Sequence, residues 1–440
     1  MGRLFTNMGW LLGGRGVNAV LSLVYLALAT RTLGTEGFGY FALIIALGQA
    51  VTGIANFQTW QFVVRWGANG DGPADATGFA IALDMLSVAM GSVLAALLVW
   101  SAQYWLPLPT ELMWLTLGYC LISLLSIRTT PTGLLRLRFK YAIATAAETV
   151  QPVIRAAGAG LAWLFMPNVM GFVLAWAASE VLVAITLWVV AARTEPIDLS
   201  KISLTRIPQK HADAWRFVWS TNMSGSLTIA SKQVMILLVG TFGGAALAGG
   251  FRVASQLGQA LVTLAQAISK AILPELVHAK DDALGIARRM ANIALIGGVI
   301  AVAVSLFFGR MGLELIAGEE FRVFYWAMVI LSIAGAVELV GASLESLLVS
   351  AGRAGTAFLV RAAPTVLALI VLDAAIEWNG AKGAAFAVLG ASSLAVIGFY
   401  VAIMNLREIR FVVEETEEKQ GGGVAVGPEQ RPLPKASADI

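Results

Sequence analysis

Long apolar runs recur along the whole of this 440-residue chain, and they restrict its fold more than any other feature. A helix that crosses a bilayer needs about 20 mainly apolar residues, at a rise of about 1.5 Å per residue. Only 13% of the residues are charged, whereas a soluble domain needs about a quarter of its residues charged to cover its surface. The sequence therefore predicts an all-α integral membrane protein.

The apolar runs predict about twelve transmembrane helices. Short connections with turn-forming residues separate them, as in Leu106-Pro107-Leu108-Pro109. The helices are expected at roughly 8–30, 37–58, 77–100, 112–128, 141–165, 168–192, 215–240, 245–273, 286–308, 322–350, 355–376 and 383–405.

The basic residues indicate how the helices are oriented. Odd-numbered connections contain only Arg31, Arg310, Arg322 and Lys382, while 20 of the 30 Lys and Arg residues lie in even-numbered connections and at the two ends. Because cytoplasmic loops carry an excess of Lys and Arg, both termini are predicted to be cytoplasmic. The basic residues follow membrane topology, so nucleic acid is not expected as a partner.

The longest polar connection divides the chain into two similar parts. A linker at 193–214 separates a six-helix lobe at 1–192 from a second at 215–406, and 407–440 is predicted to be a disordered cytoplasmic tail. Between 39–56 and 249–266, seven of eighteen positions are identical at a constant offset of 210. Parallel repeats of this kind are a transporter architecture, with the substrate site at the interface between the repeats.

Polar residues inside the predicted eighth helix form a continuous stripe. Their spacing of three and four residues places them on one face, and the stripe is nearly as long as the membrane is thick. The interpretation as a cavity wall competes with one in which the stripe provides hydrogen bonds to neighbouring helices. The stripe consists of Arg252, Gln256, Gln259, Thr263, Gln266 and Lys270, and Gln49 and Asn56 repeat part of it in the second helix.

Further intramembrane polar residues are candidates because such residues usually face a cavity or a partner. Arg15, Asn18, Asn222 and Lys232 are predicted to line the cavity, whereas Glu148, Arg155, Glu338, Glu345 and Arg361 are predicted to couple an ion or to form internal pairs. Arg15, Lys232 and Arg252 have no acidic neighbour in the sequence, so they favour an anionic ligand.

The sequence contains no pattern typical of an enzyme. The single cysteine, Cys120, excludes a disulfide framework, and no phosphate-binding loop or metal-ligand cluster is present. The predicted extracytoplasmic connections are too short to form a catalytic domain. We therefore expect no catalytic residue, no metal and no cofactor.

Two junctions resemble those of bacterial polysaccharide flippases of the multidrug/oligosaccharidyl-lipid/polysaccharide exporter superfamily. The first is the segment 29–43 with its Leu33-Gly34 and Phe38-Gly39 pairs, and the second is Val239-Gly240-Thr241-Phe242 followed by Gly249-Gly250-Phe251-Arg252. The run that ends in Pro274-Glu275-Leu276 is similar to the exit from the eighth helix of these flippases.

The resemblance implies two six-helix lobes around a central cavity and a flippase of the bacterial inner membrane. Its substrate would be a polyprenyl-pyrophosphate-linked oligosaccharide, an O-antigen or exopolysaccharide repeat unit, held by Arg15, Lys232 and Arg252. Its partners would be this glycan lipid, the bilayer and other polysaccharide-assembly proteins. Ser231-Lys232-Gln233-Val234 departs from the family, in which an acid often precedes the seventh helix.

Several alternatives remain open from the sequence. The first is a drug or cation antiporter of the same superfamily, for which Asp84, Glu148, Glu180, Glu338 and Glu345 could supply the acidic groups. A membrane enzyme of glycan assembly and a scaffold that transports nothing are the other two. Coupling to H⁺ or Na⁺ and downhill flipping fit the sequence equally well.

Overall fold

The computed structural model consists of helices and their connections over the residues it describes, which are 2–68, 72–276, 283–350 and 353–421. Within these ranges its side-chain description mainly leaves out 2–17, 220–221, 223–230, 264–276, 283–294 and 405–421. The α-helices are α1 Gly2–Ala55, α2 Thr59–Gly67, α3 Gly72–Trp105, α4 Met113–Leu125, α5 Thr129–Leu137, α6 Tyr141–Glu148, α7 Val150–Phe165, α8 Val169–Thr194, α9 Arg206–Lys210, α10 Ala214–Leu276, α11 Ala283–Ala317, α12 Tyr325–Ser350, α13 Ala354–Ile370 and α14 Leu372–Gly421. We call α1–α8 the first half and α10–α14 the second half.

The two longest paired helices, α1 and α10, break at equivalent glycines. Gly34 has φ 67° and ψ −174°, and Gly244 has φ 84° and ψ 170°. Positive φ with extended ψ is a region that only glycine enters readily. The two positions are 210 residues apart, which is the offset of the sequence repeat. The same break therefore recurs at the same place in both halves.

Several predicted helix boundaries are wrong. The predicted helix 141–165 consists of α6 and α7, because the helix stops at Glu148 and restarts before Pro152, whose ring favours the first turn of a helix. The predicted helix 112–128 ends at Leu125, and a separate helix, α5, occupies the connection that follows. At the carboxyl end, α14 begins at Leu372 and bends at Asn379 and Gly380.

The prediction of a disordered tail from residue 407 is also wrong in part. Helix α14 continues to Gly421 through the acidic segment that contains Glu414 and Glu418. Glu and Lys are good helix formers, so this segment can extend the preceding helix although it contributes no apolar face. Residues 422–440 lie outside the described part of the chain.

Eight helical stretches in the described part of the chain are long and apolar enough to cross a membrane. One of them, Val20–Gly67, contains the break at Gly34, and another, Ser231–Thr263, contains the break at Gly244. Helices α7 and α13 have only 16 and 17 residues, which is shorter than the about 20 residues that a bilayer crossing needs. The number of twelve membrane helices therefore stays a prediction.

The two halves pack against each other along α1 and α10. A Cβ atom added to Gly39 would collide with the carbonyl group of Ala245, and one added to Gly249 would lie 2.8 Å from the backbone nitrogen of Gly39. Glycines thus bring the two backbones close together, as small residues do between membrane helices. A single buried apolar cluster continues across this contact, with Phe41 and Phe251 among its members.

Large apolar side chains cover much of the outer surface. Trp114, Phe307 and Trp378 are 81%, 81% and 71% exposed, and many aliphatic side chains are exposed with them. A soluble protein rarely exposes so much contiguous apolar surface, whereas a bilayer solvates it. The outer surface therefore fits a lipid environment.

Candidate functional site

The polar stripe of α10 forms one wall of a cavity of about 300 Å³. Arg252, Gln256 and Gln259 all line it, as their spacing predicts. The opposite walls come from α12, α13 and α14, so the described residues that line the cavity belong to the second half. The resemblance implied a cavity between the two halves, which stays a prediction because the side chains of 2–17 in α1 lie outside the described residues.

Charged side chains line this cavity in unequal numbers. Lys232, Arg252 and Arg361 contribute three positive charges, and Glu338 contributes one negative charge. Lys232 lies on the part of α10 that precedes the Gly244 break, and Arg252 lies on the part that follows it. The break folds the two parts of α10 toward the same space, which brings these two cations to one cavity.

Arg361 joins the two glutamates of α12. One of its terminal nitrogens lies 2.6 Å from Oε2 of Glu345, and the other lies 3.6 Å from Oε1 of Glu338. Glu338 and Glu345 are seven residues apart, two helical turns, so a single guanidinium on a neighbouring helix can reach both. In the structure these three residues are paired internally, and the alternative role predicted for them, in ion coupling, stays a prediction.

A second polar cluster lies in the first half and is enclosed. Glu180 is 3% exposed, and its Oε1 accepts hydrogen bonds from Tyr119 Oη at 3.2 Å and Trp176 Nε1 at 3.0 Å. Arg128 lies 3.8 Å from the same oxygen. The guanidinium carbon of Arg155 lies 3.4 Å from the ring centre of Trp176, a cation–π contact.

Arg252 connects the cavity to this first-half cluster. Its Nη1 donates a hydrogen bond to the carbonyl oxygen of Ala42, at 3.0 Å. Its guanidinium carbon also lies 5.8 Å from the ring centre of Trp176. Trp176 therefore contacts Arg155 of the first half and Arg252 of the second half. Arg252 is thus a predicted site residue that contacts both regions.

The proposed pairing of Glu148 with Arg155 is absent from the structure. Glu148 ends α6 and is exposed, whereas Arg155 is in α7 and packs on Trp176 with its Nε lacking a hydrogen-bond partner. Two helical turns separate Glu148 and Arg155 in the sequence, so a direct ion pair would need a kink near Pro152, and the structure shows no such pair among its described residues.

Three candidates from the first half, Asn18, Gln49 and Asn56, do not line the cavity. Asn56 lies in the three-residue connection after α1, where its Oδ1 accepts a hydrogen bond from the backbone N–H of Gln58. This local hydrogen bond is typical of Asn in a turn, so the predicted position of Asn56 within a helix is wrong. Gln49 is partly buried in α1, and Asn18 has a buried Oδ1 that lacks a hydrogen-bond partner.

Four candidates have other outcomes. Asn222 is buried in α10, engages a partner, and is absent from the cavity lining. The side chains of Arg15, Gln266 and Lys270 lie outside the described residues.

Sequence reasoning missed the aromatic side chains of the first-half cluster. Tyr25, Tyr119 and Trp176 lie in apolar runs and look like ordinary membrane residues. One signal was available, since Trp176 and Glu180 are four residues apart and therefore face the same side of one helix. No group of three or more His, Cys, Asp or Glu residues that could hold a metal ion occurs within the described ranges.

Polar contacts also connect the halves near the Gly34 break. Arg31 Nη2 donates to the carbonyl oxygen of Leu315 at 2.6 Å, close to the end of α11. The backbone N–H of Thr35 donates to Oε2 of Glu320 at 3.2 Å. A guanidinium next to the last carbonyls of a helix is favourable because those carbonyls lack partners inside the helix. These contacts hold the two halves together at this end.

Comparison with known proteins now assigns the family. The chain matches the family model described as "Polysaccharide biosynthesis protein" over residues 4–280, which is more than half of its length. The chain belongs to this polysaccharide biosynthesis family. The resemblance recognised from the two glycine-rich junctions is thereby confirmed.

A curated relative and two solved structures place the family in a wider context. The chain is 28% identical over 335 residues to the inner membrane protein YghQ of Escherichia coli strain K12, covering 73% of this chain and 94% of the relative. It resembles the lipid II flippase MurJ in an inward closed conformation, with a TM-score of 0.69, 12% identity and coverage of 90% of this chain and 87% of that one.

The second structure is an inward-facing multidrug resistance MATE family transporter of the MOP superfamily. The TM-score is 0.68 at 15% identity, and the match covers 89% of this chain and 95% of that chain. At such low identities the two likenesses establish the fold only. The family member described here thus has the fold of these transporters.

Proposed function

We propose that this chain is a flippase that moves a polyprenyl-pyrophosphate-linked oligosaccharide, such as an O-antigen or exopolysaccharide repeat unit, across the bacterial inner membrane by alternating access. The observation that carries the proposal is the charge of the cavity, where Lys232 and Arg252 add two positive charges to the group in which Arg361 pairs with Glu338 and Glu345. Arg and Lys are the side chains that bind phosphate oxygens, Arg with a bidentate fork and Lys as a point charge. A pyrophosphate group fits this lining.

The architecture supports transport rather than catalysis. Counting each stretch broken at Gly34 or Gly244 as two crossings, and adding α7 and α13, gives the twelve helices expected for two six-helix lobes at 1–192 and 215–406 with a linker at 193–214. The shared offset of 210 between the two breaks supports a repeat of this kind. Both termini and the tail at 407–440 would lie in the cytoplasm, as the basic residues indicate.

The expected partners follow from this function. They are the glycan lipid, the surrounding bilayer and other polysaccharide-assembly proteins, and the inner-membrane relative supports this location. Neither a cofactor nor a metal is part of the proposal, which is compatible with coupling to H⁺ or Na⁺ and with downhill flipping.

The antiporter alternative is less well supported by the cavity. A pump for cations would need free carboxylates, but Glu338 and Glu345 both engage Arg361. In the first half, Glu180 already accepts two hydrogen bonds and lies near Arg128. Three of the five carboxylates that favoured this alternative, Glu180, Glu338 and Glu345, are therefore occupied by partners within the protein.

The test uses a deletion strain in which leaflet-selective labelling and mass spectrometry locate the glycan lipids. We expect them to accumulate in the cytoplasmic leaflet, to be cleared by the wild-type chain and to persist with Arg252→Ala. Loss of a charge-assisted hydrogen bond costs about 1.5–3 kcal/mol, equivalent to a rate reduction of about tenfold or more.

Arg310→Ala serves as the matched control because Arg310 is exposed on α11 and pairs within its own helix with Glu314. It should clear the glycan lipids at the wild-type rate, with both variants present at equal amounts in the membrane. Unchanged glycan lipids combined with increased sensitivity to cationic drugs would instead support the antiporter.

A further inference from the structure

Asp84 is a buried carboxylate outside the cavity and outside the Glu180 cluster. It lies in α3, is 3% exposed and is surrounded by threonines at the starts of two short helices. Thr59 is the first residue of α2, and Thr129 and Thr130 are the first two residues of α5. The carboxylate is therefore placed where three helices from the first half meet.

The five oxygens of this group are close to one another. Asp84 Oδ1 lies 3.0 Å from the Thr59 hydroxyl and 3.3 Å from the Thr129 hydroxyl, and Oδ2 lies 2.5 Å from the Thr130 hydroxyl. The Thr59 hydroxyl also lies 2.9 Å from that of Thr129 and 3.0 Å from that of Thr130. All five separations are of hydrogen-bond length.

The available hydroxyl protons are too few for these contacts. Each threonine hydroxyl has one proton to donate, so three protons are available for the five oxygen–oxygen contacts. With Asp84 ionised, two contacts would bring oxygens together without any proton between them. A proton on the carboxyl group supplies one of the two missing protons. A cation bound among the oxygens would instead make the oxygens that lack a proton between them its ligands.

No positive side chain in the described part of the chain pairs with Asp84. The charged groups of the surrounding elements are engaged elsewhere. Arg65 of α2 pairs with Asp213, Arg128 before α5 contacts Gln151 and Glu180, and Arg136 of α5 lies over the ring of Trp60. Asp75 of α3 pairs with Lys201, Arg206 and Lys210, and Arg138 pairs with Glu195.

An ionised carboxylate buried without a countercharge is costly. The shortage of protons and the lack of a countercharge both require an additional positive species. We propose that Asp84, Thr59, Thr129 and Thr130 form a binding site for a monovalent cation, either a proton or Na⁺. Carboxylate and hydroxyl oxygens are the hard ligands that such ions prefer.

The position of the site connects it to the second half. Helix α2 starts at Thr59, and the aromatic residues around it pack on the start of α10. Phe57 and Trp219 have ring centres 5.6 Å apart, and Trp66 and Phe217 have ring centres 4.9 Å apart. A bound cation fixes the start of α2. Its release therefore changes the support for this contact between the halves. The role of this site in transport rests on the proposed flippase function, whereas binding of the cation does not.

The test measures binding of radioactive Na⁺ and the infrared band of a protonated carboxyl group on the purified full-length protein in detergent, from about pH 5 to about pH 9. If the site holds Na⁺, the wild type binds the ion, and Asp84→Asn weakens binding by about tenfold or more because a charged ligand is lost. If it holds a proton, Na⁺ does not bind, and a protonated carboxyl band near neutral pH is present in the wild type but absent from Asp84→Asn.

Asp75→Asn is the matched control, since this carboxyl group is on the same helix but pairs with surface cations. It should retain either signal. Thr130→Val keeps the carboxyl group and removes one hydroxyl ligand, so it should weaken Na⁺ binding or shift the carboxyl band even where Asp84→Asn does not fold. If Na⁺ does not bind and no protonated band depends on Asp84, the proposal is overturned, and Asp84 is an ionised structural residue. Neither measurement involves the glycan, so that result would leave the flippase proposal intact.

Discussion

Among the described residues, the polar cluster around Glu180 in the first half is enclosed, whereas Lys232, Arg252 and Glu338 of the second half line a cavity. Glu180 is 3% exposed and surrounded by the hydrogen-bond donors Tyr119 and Trp176. The side chain of Glu338 is 40% exposed, with one contact to Arg361 at 3.6 Å. A glutamate thus has several fixed partners in one half and a more open environment in the other.

This difference indicates a division of roles. A buried charge that accepts hydrogen bonds from several fixed partners holds helices together, and its loss leaves those partners unsatisfied. A charge that lines a cavity keeps access to water and can exchange it for a ligand. We therefore expect substitutions in the enclosed cluster to lower stability and substitutions in the cavity to lower binding.

The largest expected effect is on stability, and it tests the comparison directly. Glu180→Ala should lower the free energy of unfolding by about 3–5 kcal/mol, because it leaves Arg128, Tyr119 and Trp176 without their common acceptor. Glu338→Ala should lower it by at most about 1 kcal/mol, because Arg361 retains Glu345. Thermal unfolding of the purified variants in one detergent measures both. Equal losses would remove the distinction between the halves.

The contact between the halves gives the next largest effect. Gly39→Val should destabilise the protein by about 1–3 kcal/mol, because its side chain would collide with the backbone at Ala245. The control is Gly118→Val in α4, where no atom lies within 4 Å of the added Cβ. Thermal unfolding of the two variants is the measurement. If Gly39→Val unfolded at the same temperature as Gly118→Val, the halves would not pack tightly along α1 and α10.

A smaller effect is expected in the cavity. Lys232→Met should weaken binding of inorganic pyrophosphate by up to about fivefold, because an exposed charge contributes at most about 1 kcal/mol. The melting temperature should stay unchanged, which distinguishes a cavity residue from one of the enclosed cluster. Isothermal titration calorimetry at low salt measures the affinity. Lys140→Met, in the exposed connection before α6, is the control and should bind as the wild type does.

The smallest expected effect concerns the contacts at the Gly34 break. Arg31→Ala removes the hydrogen bond to Leu315 and should lower disulfide cross-linking between cysteines introduced at Thr35 and Glu320 by about twofold, because single exposed contacts are weak. Cys120 is replaced by Ala in this background. Arg310→Ala, whose ion pair stays within α11, should leave the yield unchanged. A yield that Arg31→Ala did not lower would mean that this residue does not hold the halves together.

Part of the candidate site could be predicted from the sequence. Gln256 and Gln259 follow Arg252 on one face of α10, and all three line the cavity as expected. The contact of Arg155 with Trp176, in place of an ion pair with Glu148, could not be predicted, because it depends on how α7 packs against α8. A break in a helix depends on packing as much as on local propensity, so residues on either side of one cannot be assigned to one face from spacing alone.

The sequence by itself determined that the chain is a membrane-embedded bundle of helices and that α10 carries a polar face. Both properties are local, since hydropathy over about 20 residues and a period of 3.6 residues are properties of the chain and do not depend on its neighbours. Only the tertiary structure decided that Arg361 joins Glu338 and Glu345, that Trp176 has contacts with Arg155 and Arg252, and that α12, α13 and α14 lie opposite the polar face of α10 in the cavity. These arrangements join residues that are distant in the chain, and the packing of whole helices fixes which of them meet.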